Sequence, residues 1–117
     1  MYVKNIQEIP LNNSRIKDAI ERYLTLIRKK YEDRIEEVIL YGSVARSENN
    51  EKSDVDLLTI GTDDSCEVEF DIIGLSFDVF METGIDISPK YRSRKQFDEY
   101  CSFSFLQNVI HDGVRIA

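Results

Sequence analysis

A chain of 117 residues has room for one sizeable core but not for two independent ones, so a single domain over residues 1–117 is expected. Its 42% hydrophobic and 32% charged residues argue against intrinsic disorder, and its net charge of −7, without a long Lys/Arg cluster, argues against a polynucleotide as main substrate. Two cysteines without CxxC spacing and a single histidine exclude the usual zinc sites, and with no signal-peptide or membrane-span run a soluble protein of the reducing cytoplasm is expected.

Apolar residues Ile16, Ile20, Leu24, Ile27 and Tyr31 recur at helical spacing between Asn13 and Tyr31, with Asn12, Asn13 or Ser14 available as N-cap. Arg28, Lys29 and Lys30 fall in the last turn, where cations suit the negative end of the helix dipole, and are read as structural. Glu37 to Tyr41 is a short β-prone run ending at Gly42-Ser43, after which Ala45-Arg46 begins a brief helix. A polar loop, Val44 to Ser53, leads to a second strand, Asp54 to Ile60, ended by Gly61.

Residues 67–82 read either as a hairpin turning at Ile73-Gly74 or as a helix with Phe70, Ile73, Phe77 and Met81 on one stripe. Length and the Thr83-Gly84 stop favour the helix, since Gly just beyond the last turn takes the left-handed C-cap conformation. The breadth of its apolar arc predicts cover on two sides, with the phenylalanines mostly in the core and a partner surface as the alternative. Ile85 to Tyr91 follows as a third strand, with Pro89 placing it near an edge or ending it, then one or two helices, Ser93 to Tyr100 and Phe103 to His111, closed by Gly113. Asp71, Asp78 and His111 are read as surface residues.

The chemistry lies in Gly42-Ser43, then ten residues, then Asp54-Val55-Asp56. Two carboxylates two apart on a strand share a face, and hard oxygen ligands held together suit Mg²⁺, with Mn²⁺ as the alternative. Gly42 permits close backbone approach to a phosphate, Ser43 adds a hydroxyl and an N–H, and Arg46 is placed to neutralise phosphate charge or else is a plain surface arginine. Ser53 is placed to orient the acids. Two-metal phosphate chemistry commonly uses a third carboxylate from a neighbouring strand; Asp86, the one acid between Ile85 and Ile87, is the candidate, with a surface role as the alternative.

Leu40-Tyr41-Gly42-Ser43-Val44-Ala45-Arg46-Ser47 and Ser53-Asp54-Val55-Asp56-Leu57-Leu58 together resemble the signature of the minimal nucleotidyltransferase family of the DNA polymerase beta-like superfamily. The closing segment Phe103 to Ile116 is similar to the tail of longer members. The resemblance implies an α/β (α+β) nucleotidyltransferase-like core: a small mixed sheet of about three or four strands, helices packed on it, and the metal site at an edge.

It further implies transfer of NMP from ATP or another NTP to an acceptor hydroxyl with release of pyrophosphate. Asp54, Asp56 and Asp86 would hold the metal, and Gly42, Ser43, Arg46 and Ser53 the phosphates. Small members are antitoxin-like partners of HEPN-domain proteins, so the implied acceptor is a partner protein in a toxin–antitoxin pair; self-association is left open. The rival reading is an inactive antitoxin-like module that neutralises its partner by contact through 67–82. A third, metal-dependent phosphatase or nuclease activity on the same acids, would release no pyrophosphate.

Overall fold

The structure, a computed structural model, describes residues 14–46, 54–64, 66–100 and 102–117 and the backbone of residues 2–3. Helix α1 (Ser14–Tyr31) forms where expected, burying Ile16, Ala19, Ile20, Tyr23, Leu24, Ile27 and Tyr31 on one face and ending on the exposed Arg28, Lys29 and Lys30. A short 3₁₀ turn (Glu32–Arg34) leads into β2 (Ile35–Tyr41), which pairs antiparallel with β3 (Val55–Gly61); a one-turn helix α2 (Gly42–Ala45) opens directly from the end of β2.

From β3 the chain crosses through α3 (Cys66–Thr83) to β4 (Ile87–Ser93), which lies parallel to β3, so a helical connection between the strands is required. Helices α4 (Arg94–Tyr100) and α5 (Ser104–Asp112) follow. The last strand, β5 (Val114–Arg115), joins the far side of β2 antiparallel and pairs in parallel with β1 (Tyr2–Val3). The result is a mixed α/β sheet in the order β1-β5-β2-β3-β4. Three strands have seven residues, while β1 and β5 have two each, too few to display an alternation in the sequence.

Helices cover both faces of the sheet. Val38, Leu40, Val55, Leu57, Ile87 and Tyr91 pack with the inward residues of α1 and α3, whereas Ile39, Leu58 and Ile60 pack with Phe97, Leu106 and Val109 of α4 and α5. β3, covered on both sides, therefore reads as a nearly continuous apolar run. On the α1 side one polar pair lies in the core: the Tyr23 and Thr59 hydroxyls, both fully buried, share a hydrogen bond of 2.8 Å.

Residues 66–83 settle as a helix, and Gly84 (φ 75°) donates its N–H to the Phe80 carbonyl at 2.7 Å, closing the helix in the left-handed conformation. Its orientation corrects the sequence reading. The core takes Val68, Ile72, Ser76 and Val79, not the Phe70, Ile73, Phe77 and Met81 stripe, which faces outward together with Phe80. The helix is therefore not covered on two sides, and of the five phenylalanines read as mostly core, Phe70, Phe77, Phe80 and Phe103 are exposed and Phe105 is half-buried. Compact side chains let the helix sit close to β-branched neighbours on the sheet, whereas a stack of phenylalanines would hold it off.

Strand β4 begins two residues later than expected, leaving Ile85 and Asp86 just before it. Among the described residues, no helix is long and apolar enough to cross a membrane. Cys66 is an exposed free thiol; Cys101 lies outside the described residues.

Candidate active site

Antiparallel register between β2 and β3 places Tyr41 opposite Asp56, so the first residue of α2, Gly42, stands at the Asp56 carboxylate. Gly42 has φ 77°, in the left-handed region, and a Cβ built on it would collide with Asp56 Oδ2. Glycine is thus required at the junction twice over, by backbone conformation and by space. Arg46 closes the turn by donating its backbone N–H to the Gly42 carbonyl at 3.1 Å, with Val44 buried beneath and Ser43 half-buried at the rim.

Alternation along β3 sends Val55 and Leu57 to the α1–α3 side and Asp54 and Asp56 to the α4–α5 side, beyond the end of the apolar cluster there. The acids therefore lie at the N-terminal end of an interior strand, not at a lateral edge of the sheet as expected. Asp54 is exposed and Asp56 half-buried. Burial raises the Asp56 carboxyl above its ordinary value and the Asp54 charge raises it further, while Arg46 and Lys90 pull it down. A pair of oxygen-donor acids in which each raises the energy of the other's charge is a donor set that fits a divalent cation.

Asp86 lies on the segment preceding β4, and its carbonyl accepts the Val55 N–H at 2.9 Å, which sets it beside the start of β3. Its side chain is exposed and is not among the charges acting on Asp56. Among the described residues no three His, Cys, Asp or Glu side chains are gathered closely enough to hold a metal ion; the parallel register, continued one residue back from Val55 and Ile87, sets Asp86 beside Asp54. Ser53 lies outside the described residues.

Arg46 reaches back to α5, where its Nη1 donates to Asp112 Oδ2 at 2.7 Å, and the same carboxylate group meets exposed His111. The pair holds α2 against α5 while leaving the Arg46 charge close enough to act on Asp56.

Two residues joining this region, Lys90 and Arg92, were not singled out from the sequence. Register puts Ser88 opposite Asp56, Lys90 opposite Leu58 and Arg92 opposite Ile60, so Lys90 and Arg92 lie on the face that carries the acids. Tyr41, edge-on to Phe105 with ring centroids 5.8 Å apart, is pushed up to about 12 by burial and by the Asp56 charge, with Arg92 opposing. Arg92 stacks over the same Phe105 ring at 5.7 Å. Strand alternation puts Lys90 and Arg92 on the face of Asp86 and Ser88, and the register of β4 on β3 makes that face the one with the acids.

A family model described as a nucleotidyltransferase domain matches residues 20–108. A relative from Methanocaldococcus jannaschii, provisionally named a protein adenylyltransferase, is 33% identical over 96 residues, covering 81% of this chain and 91% of the relative. Among solved structures, a chain of a toxin–antitoxin with AMP-PNP aligns at TM-score 0.58 and 14% identity, over 81% of this chain and 70% of its own. A chain of a mutant MntA-HpeT toxin–antitoxin aligns at TM-score 0.58 and 14% identity, over 83% and 71%. These structural likenesses show a shared fold. With the family model spanning most of its length, the chain belongs to the nucleotidyltransferase domain family and is an enzyme of that class.

Proposed function

We propose that the protein transfers AMP from ATP to a hydroxyl of a partner protein in a Mg²⁺-dependent reaction, releasing pyrophosphate. The observation that carries this reading is the meeting of Asp56, on which the Asp54 charge acts, with the left-handed Gly42 turn at the end of β2. When bound, the cation supplies Lewis-acid neutralisation of the phosphate oxygens and relieves the repulsion between the two acids. Asp54 and Asp56 would hold it, with Asp86, from the segment before β4, as the third carboxylate.

Gly42 and Ser43 offer the backbone approach and hydroxyl for the phosphate tail, Ser53 orients the acids, and Arg46 and Lys90 oppose the charge that accumulates on the leaving pyrophosphate. The protein supplies no nucleophile of its own; the acceptor oxygen attacks the α-phosphorus and the bond to the pyrophosphate oxygen breaks. ATP and a protein acceptor are supported by the relative's name and by the toxin–antitoxin neighbours, one of them with AMP-PNP. We take the acceptor to be a HEPN-domain toxin and the compartment to be the cytoplasm, as the minimal nucleotidyltransferase resemblance implies.

A second reading, contact neutralisation with an idle site, draws on the exposed apolar face of α3. Incubation with α-labelled ATP, Mg²⁺ and the product of the adjacent gene separates the two. Label on the partner that disappears with Asp54→Ala plus Asp56→Ala supports transfer. No label on either protein, with neutralisation intact in the double variant, leaves the contact reading standing.

A further inference from the structure

The outward face of α3 has large apolar side chains that the fold does not use. Phe70 is 75% exposed, Ile73 50%, Phe77 62% and Met81 68%, at helical positions i, i+3, i+7 and i+11, with Phe80 beside them. They are not a poorly filled part of the core, because Val68, Ile72, Ser76 and Val79 already satisfy the inward face. Taking about 200 Å² for each large side chain, the stripe leaves roughly 600 Å² of apolar surface in water, at the upper end for a monomer and close to one side of a standard interface.

We propose that this stripe docks a helix of a partner protein whose apolar positions are bordered by lysine and arginine. Charge selects that occupant. The segment from Cys66 to Thr83 holds Glu67, Glu69, Asp71, Asp78 and Glu82 and no basic residue. At helical spacing Glu67, Asp71, Asp78 and Glu82 succeed one another along one border of the stripe. Two of these acids also pair with α1: Arg22 to Glu82 at 2.8 Å and Lys30 to Asp71 at 3.3 Å are surface pairs that screening keeps weak, while Asp71 also accepts the Tyr31 hydroxyl. A second copy of α3 laid on the stripe would set acid against acid in a chain already at −7.

Gly74 adds a steric reason. It is exposed beside Ile73, and a Cβ built on it would meet nothing within 4 Å, so an incoming backbone can approach closely at mid-stripe. The direction of the helix links the stripe to the site. Because α3 returns the chain from the end of β3 to the start of β4, the Met81 end lies at the end of the sheet that carries Asp54 and Asp56. A helix seated on the stripe is thereby delivered to that end. Docking stands without the nucleotide site; only what is transferred to the docked partner rests on the reading above.

The test uses the full chain and two synthetic helical peptides about as long as α3, both with leucine at i, i+3, i+4 and i+7, one bordered by lysine and the other by glutamate, titrated by fluorescence anisotropy. The lysine peptide is expected to bind at least about tenfold tighter than the glutamate peptide, and Phe70→Ser plus Phe77→Ser to weaken it by about tenfold or more with melting temperature unchanged. Equal binding by both peptides, or undiminished binding by the double variant, overturns the proposal. So does a dimer in sedimentation equilibrium that Phe77→Ser dissociates, since a second copy then occupies the stripe. None of these readouts involves nucleotide, so failure of docking is distinct from failure of transfer.

Discussion

Replacing Asp56 by asparagine removes a carboxylate that the fold holds at a cost, so the variant should be more stable than the natural protein even as it loses activity. Burial is the largest reason the carboxyl is raised, and the Asp54 charge is the next. Two acids two residues apart on a strand stand roughly 7 Å from each other. Between surface-like and water-like dielectric constants this repulsion spans roughly 0.6–2.4 kcal/mol, and solvent at the half-buried site brings it to about 1 kcal/mol.

In a domain of this size that corresponds to a melting temperature higher by about 4 °C at neutral pH. A carboxyl raised by folding binds its proton more tightly in the native state, so its destabilising effect is absent below the unfolded value, about 3.9, and grows as pH rises through the raised folded value. The advantage of Asp56→Asn should therefore vanish near pH 3.5 and be full at pH 7. Millimolar Mg²⁺ should raise the melting temperature of the natural protein and leave the variant unmoved. Scanning calorimetry of both proteins at several pH values with and without Mg²⁺ checks each part. A variant less stable at pH 7, or equal stabilisation of both by Mg²⁺, would refute the argument that the two acids strain each other and await a cation.

Gly42→Ala should destabilise by about 2 kcal/mol or more, from the left-handed backbone and the clash with Asp56, and should abolish transfer, whereas Gly74→Ala, in open space within a helix, should stabilise by up to about 1 kcal/mol; urea denaturation compares them. Tyr23→Phe leaves the Thr59 hydroxyl buried without its partner and should lower stability by about 1–2 kcal/mol, seen as a reduced urea midpoint at constant slope with turnover unchanged. Lys90→Ala should raise the Asp56 carboxyl further and increase the nucleotide KM roughly five- to tenfold; steady-state kinetics showing no change in KM would remove Lys90 from the phosphate site.

Local order along the chain was enough to place β2 and β3, the α1 face, the Gly42 turn and the left-handed Gly84 stop, because strand alternation, helical spacing and glycine's backbone freedom act over a few residues. Other features depend on residues far apart in sequence, and only the tertiary structure decided them. A helix with two apolar faces, like α3, can present either one to a sheet, and packing chose Val68, Ile72, Ser76 and Val79 and left the phenylalanines outside. Parallel register between β3 and β4 brought Lys90 and Arg92 onto the face with the acids, and the fold of α5 against α2 gave Arg46 its partner in Asp112. The pairing of β4 with β3 also set Asp86, its side chain exposed, beside the start of β3, a neighbour that the two-residue period of a strand, which gives a face but no partner, could not supply.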